Sequence, residues 1–160
     1  MMGYQNDYNR DSRRSPNTSS YANRKNGGYN QASSVSKPVS PMTIPEDYLD
    51  QAEKLMGENT SLITTSKIRR LFSLVMEIYN EETLSTKKDL SRESVSSIGM
   101  MRVRFAYECG RDKKVKEFVE KAHLMNYLKG IGSSREEFIK FAQYMEALVA
   151  YHKFFGGREN

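Results

Sequence analysis

Apolar positions in the second part of this chain recur at three- and four-residue intervals, the mark of helices with one buried face. Tyr48, Leu49, Ala52, Leu55 and Met56 outline a short helix that Gly57 is expected to end. Ile68, Leu71, Phe72, Val75, Ile78 and Tyr79 outline a second, opening near Thr64 or Thr65. A polar stretch over 80–93, with Lys87 and Lys88, reads as a loop. On a third helix, Ile98, Met101, Phe105 and Cys109 gather on one face, while Met100, Val103 and Tyr107 fill the far side. That helix is expected to be buried on most of its circumference and to end at Gly110. Val115, Phe118, Val119, Ala122 and Met125 mark a fourth helix that Asp112 can cap and that Gly130 and Gly132 break. A long last helix carries Phe138, Phe141, Ala142, Met145, Leu148, Val149 and His152.

Two further patterns fix helix starts. Thr43 with Glu46, and Ser134 with Glu137, have the spacing of capping boxes, the first with Pro45 inside the first turn. No segment sustains strand alternation. The fold class is therefore all-α: a compact bundle of about five helices over residues 43–160.

Composition changes the picture at the N-terminus. Residues 1–42 are rich in Asn, Ser, Tyr, Arg and Gly and hold six basic residues against two acids. Such a segment buries too little surface to offset chain entropy, and a disordered basic low-complexity tail is expected. Its interleaved tyrosines and arginines suit stacking on single-stranded nucleic acid, but an inert solubilising tail is the simpler reading. The chain has formal charge +5. Because the tail carries +4 of that, the helical part is nearly neutral, and any polyanion site on it must be a local patch. The single cysteine excludes an internal disulfide. With no apolar run long enough to span a bilayer and no signal-peptide pattern, a cytoplasmic protein is expected.

Catalytic chemistry finds little support. The only histidines are His123 and His152. The second falls on the core stripe of the last helix, where a buried, hydrogen-bonded role fits it best. Glu136 and Glu137 serve a helix start, and neither a phosphate-cradling glycine loop nor a metal-ligand spacing is present. No enzyme activity, cofactor or metal is expected.

Basic residues on helices are the live alternative. Lys67, Arg69 and Arg70 stand in the first turn of the second helix, where cations beside a positive helix end repel unless an anion arrives. Arg104 and Arg111 share a polar window with Glu108 on the third helix, and Arg102 lies on the opposite flank. Lys114 and Lys121 share a face of the fourth. Lys113–Glu117 and Lys116–Glu120 are better explained as surface pairs at i,i+4. The competing explanation for Arg104 is the same kind of pair with Glu108. These eight cations, Lys67, Arg69, Arg70, Arg102, Arg104, Arg111, Lys114 and Lys121, are the candidate phosphate contacts. Tyr144, Tyr151 and Phe155 form a second stripe on the last helix. A stripe of that kind usually meets a neighbouring helix, and its sharper reading is a protein interface.

Three segments carry a family resemblance: TTSKIRRLFSLV at Thr64–Val75, MRVRFAYECGRD at Met101–Asp112 and YMEALVAYHKFFGG at Tyr144–Gly157. With these the sequence resembles the small subunit of type III-A CRISPR (Csm) effector complexes, over most of residues 60–157 and none of the tail. The resemblance implies a non-catalytic helical protein present in several copies along a filament of backbone subunits. There it would hold the crRNA–target RNA duplex and the displaced target backbone, in antiviral defence. Its implied partners are crRNA, target RNA, the backbone and large subunits and other copies of itself, with no membrane. The competing class is a helical adaptor that binds protein alone.

Overall fold

The computed structural model describes residues 37–160. Among them lie six α-helices and one short 3-10 turn. They are α1 (Tyr48–Asn59), the turn Thr60–Leu62, α2 (Thr65–Glu82), α3 (Arg92–Arg111), α4 (Lys113–Lys121), α5 (Leu124–Gly130) and α6 (Arg135–Phe154). The all-α class holds, with one helix more than expected. The expected disordered tail lies, through residue 36, outside the described residues.

Helix α6 is the axis of the bundle. Its Phe138, Phe141, Met145, Leu148 and His152 are fully buried, and α1 and α2 pack along it. Helix α1 runs parallel to α6, since Tyr48 donates to Gln143 at one end and Phe155 lies on Gly57 at the other. Helix α2 runs antiparallel to it. The N–H of Thr65 donates to the Arg158 carbonyl just beyond α6, whereas Glu82 at the far end of α2 pairs with Arg135 at the start of α6. Helix α3 then returns antiparallel along α2, and α4 and α5 close the side of α3.

Several local expectations are corrected, each for a physical reason. Gly57 does not end α1. It stands within the helix against the Phe155 ring, which a Cβ would meet in ordinary contact at 3.5 Å, and the helix runs on to Asn59. Thr43 does not cap α1: Asp47 takes the N-cap position and Glu46 pairs with Lys140 instead. The fourth helix is two helices, because His123 adopts a left-handed backbone (φ 54°) and the Ala122 carbonyl accepts the Tyr144 hydroxyl. Helix α2 continues through Glu82, which is buried against Arg135, so the loop shortens to 83–91. The Ser134 and Asp112 side chains cap α6 and α4 as expected, but the Ser134–Glu137 box closes on one side only, since the Glu137 carboxylate accepts from the Ile44 N–H.

Packing against the bundle begins before Thr43. The N–H of Met42 donates to the Asn126 carbonyl, Asn126 donates to Ser40, and Lys129 donates to Val39. This strap crosses α5 where a Cβ on Gly130 would run into the Met42 carbonyl.

His152 is 0% exposed and donates from Nε2 to the Ile63 carbonyl at 2.8 Å. Donation to a carbonyl fixes the proton on Nε2. Gly157 folds back so closely over the ring that a side chain there would strike it. His152 therefore joins α6 to the approach to α2.

Candidate nucleic-acid interface

Antiparallel packing of α2 on α3 brings four of the eight candidate cations into one ridge. Lys67 and Arg70, one turn apart on α2, face Asp112 and Glu108 at the end of α3. Arg111 shares Glu108 with Arg70, and two turns back along α3 Arg104 faces Glu77 of α2. The seven-residue step from Arg104 to Arg111 spans roughly 10 Å along the helix. A recess of about 340 Å³ opens at its end, lined by Thr64, Ser66, Lys67, Arg70, Arg111 and Asn160.

None of the four cations is bare. Lys67 Nζ lies 2.5 Å from Asp112 Oδ2, and this pairing, with the N–H groups of Val115 and Lys114, holds the Asp112 carboxyl below its ordinary range. Arg70 stands 3.5 Å from Glu108 Oε2 and Arg111 3.7 Å from Glu108 Oε1. Arg104 is 3.9 Å from Glu77. The i,i+4 pairing of Arg104 with Glu108 therefore does not form. Glu108 turns to Arg70 and Arg111, and Arg104 reaches across to α2. The arginine side chains remain more than half exposed, and Arg111 also lies over the Tyr107 ring at 5.7 Å.

The start of α2 is less open than its sequence implies. Both the N–H and the hydroxyl of Thr65 donate to the Arg158 carbonyl, and Ser66 donates to Glu159 and Asn160. The segment after α6 thus folds over the start of α2 and forms part of the recess wall.

The remaining four candidates lie elsewhere. Arg69 lies near enough to Glu159 to help Lys153 hold that carboxyl below its ordinary range, and Arg102 sits half-buried on the other flank of α3. Lys114 is exposed at the start of α4. Lys121, at its far end, donates to Asn59 and pairs with Glu117. The expected Lys113–Glu117 pair is replaced by that contact, whereas Lys116–Glu120 forms at 3.8 Å.

The aromatic stripe is divided as well. Tyr144 is 3% exposed, edge-on to Tyr127 with its hydroxyl on Ala122, so α5 of the same bundle is its partner. Desolvation there pushes its phenol well above the usual value. Tyr151 is half-buried against Phe155. Phe155 keeps partial exposure, and Phe154, absent from the sequence-based set, is 77% exposed. Nor is α3 buried around its circumference. Met100, Val103 and Tyr107 face solvent because α2, α4 and α5 cover only the Ile98–Met101–Phe105 side.

Sequence reasoning missed the acids that answer the ridge. Glu108 meets Arg111 within α3, but Glu77 meets Arg104, Glu108 meets Arg70 and Asp112 meets Lys67 only once α2 and α3 are antiparallel. It missed the Glu82–Arg135 pair for the same reason. Arg135 Nε and Nη2 both donate to Glu82 Oε2, at 2.9 and 2.5 Å, inside the bundle. Cys109 offers no reactive thiol, since burial, with Glu120 and Glu108 nearby, pushes it up to about 11. Among the described residues no group of His, Cys, Asp and Glu is arranged to hold a metal ion. Nor is any described helix long and apolar enough to cross a membrane.

Comparison with known proteins covers the same helical region. Residues 43–158 match the family model for Csm2 Type III-A. A Mycobacterium tuberculosis protein named CRISPR system Cms protein Csm2 is 40% identical over 115 residues, covering 69% of this chain and 93% of the relative. The protein of that name from Streptococcus thermophilus is 38% identical over 120 residues, covering 71% and 95%.

Proposed function

This chain belongs to the Csm2 family of type III-A CRISPR systems, and from that premise we propose that its α2–α3 ridge holds RNA backbone within the effector complex. In this reading the protein is a non-catalytic small subunit of antiviral defence. Guide–target pairing supplies sequence selection, and the protein supplies cations at fixed spacing. The observation that carries the proposal is the collection of Lys67, Arg70, Arg104 and Arg111 on one exposed face of two rigid helices. Arginines on such a scaffold suit phosphate oxygens. The near-neutral charge of the helical part lets copies lie side by side without strong repulsion.

Partner subunits, including further copies of this chain, fit an apolar strip beside the ridge. Met100, Val103 and Tyr107 on α3 and Phe154 beyond Tyr151 on α6 are large apolar groups left in solvent. Exposed apolar area of that kind marks protein contacts more than RNA contacts. A protein-only adaptor would use these residues and not the ridge.

Salt titration separates the two readings. Neutralising Lys67, Arg70 or Arg111 one at a time should weaken RNA retention and flatten the salt slope by roughly 0.7–0.9 for each phosphate no longer neutralised. The loss should be equal for any matched guide–target pair. Ridge variants that keep RNA but lose assembly with other subunits would move these cations to a protein interface.

A further inference from the structure

We propose that Glu108 is the specificity-determining residue of the ridge: its carboxylate stands where a phosphate would bridge Arg70 and Arg111, so that only a ligand presenting several phosphates together displaces it. The inference rests on the RNA-binding reading of the ridge and adds a function for its acid.

Glu108 is placed as a stand-in anion. Each of its two oxygens faces a different guanidinium, Oε2 toward Arg70 at 3.5 Å and Oε1 toward Arg111 at 3.7 Å. Two non-bridging phosphate oxygens would meet the same pair of guanidiniums. Both distances exceed the roughly 2.7–2.9 Å of a well-made charged hydrogen bond, so these are loose Coulombic contacts. The arginines are more than half exposed, whereas the Glu108 side chain is 18% exposed. Contacts this long hold the two guanidiniums weakly, so the acid can yield them to another anion.

The same arrangement recurs along the ridge. Asp112 answers Lys67 and Glu77 answers Arg104, so four cations meet three carboxylates. A lone phosphate that replaced one carboxylate would exchange one anion for another with little gain. A strand presents its phosphates together. It displaces the carboxylates in a single event and releases its own counterions, so the gain accumulates along the ridge. The ridge thus rejects inorganic phosphate and mononucleotides while keeping a polynucleotide. Glu108 is the acid that can be tested cleanly, because Asp112 also caps α4 through the N–H groups of Lys114 and Val115.

The experiment measures binding of the full chain to a labelled single-stranded RNA across a salt series, with inorganic phosphate as a second probe. Glu108→Gln keeps the shape of the side chain and removes its charge. It should bind RNA about 3–10-fold more tightly near 0.1 M salt, with a slope steeper by about 0.7, and should begin to bind inorganic phosphate. Glu120→Gln, which releases Lys116 away from the ridge, should leave all three readouts unchanged. The proposal is overturned if Glu108→Gln binds RNA no better than wild type while Arg70→Ala still weakens it, or if Glu120→Gln matches Glu108→Gln. If neither wild type nor Glu108→Gln retains RNA, or Arg70→Ala has no effect, the RNA reading fails, and this inference with it.

Discussion

The two ends of α2 carry the same chemistry in opposite settings. At its end, Glu82 is 3% exposed and pairs with Arg135, itself 8% exposed. Near its start, Lys67 and Arg70 stand in solvent and pair with Asp112 and Glu108, whose side chains are only partly exposed, at 28% and 18%. Burial decides what each pairing does. A buried pair repays desolvation only with good geometry and further hydrogen bonds, and Glu82 has both. Arg135 approaches it with two nitrogens, and the Ser91 N–H and Ser94 add to them. Those bonds join the end of α2, the start of α3 and the start of α6. The exposed pairs join nothing that packing does not already hold, and their partners can be exchanged for other anions. One end fixes the fold and the other can bind.

Breaking the buried end should give the largest effect. Arg135→Ala leaves the Glu82 charge uncompensated in the bundle and should cost about 3–5 kcal/mol, read as a lowered denaturation midpoint. A Glu82→Leu, Arg135→Met double variant should recover much of that loss by replacing the pair with apolar packing. If Arg135→Ala melts like wild type, the contrast between the two ends disappears.

Acid should sharpen the contrast next. Burial alone would raise the Glu82 carboxyl, but hydrogen bonds from Ser94, Arg135 and Ser91 outweigh it and hold the group below its ordinary value. A folded value below the unfolded one means the stabilisation is fully present above the ordinary carboxylate range, about 4.3. It is lost as pH falls through the lowered folded value. Melting temperature should therefore drop below about pH 4, and Glu82→Gln should remove part of that dependence. Asp112 is shifted in the same direction by Lys67, but it lies at the surface, and Asp112→Asn should change the acid limb less.

The comparison also marks what the sequence could convey. Helical periodicity located every long element, because a buried face repeats along one helix and needs no knowledge of the others. Caps at Asp112 and Ser134 were legible for the same local reason. The arginines of α3 were visible as exceptions in an apolar run. What stayed hidden depends on which helices meet. Glu108 read as an i,i+4 partner of Arg104, and only the antiparallel return of α3 turns it toward Arg70. Arg135 read as the first residue of a capped helix, with nothing nearby to reveal a partner 53 residues away. Tyr144 read as a second apolar face, because α5 was merged with α4 and could not be seen to cover it.

The smallest expected effects test the exposed end. Arg111→Ala removes a 3.7 Å pair and a cation over Tyr107, both made by a guanidinium more than half exposed. Together these should contribute at most about 1 kcal/mol to stability. Lys116→Ala removes one i,i+4 pair with Glu120 and should change stability by only about 0.3 kcal/mol. By denaturant midpoint the two variants should be nearly indistinguishable, and only RNA retention should separate them. Arg111→Ala should lose affinity and flatten the salt slope, because its guanidinium lines the recess beside Lys67 and Arg70. Lys116→Ala should do neither. If Arg111→Ala instead unfolds the protein as readily as Arg135→Ala, the exposed pairs hold the fold after all, and burial no longer distinguishes one end of α2 from the other.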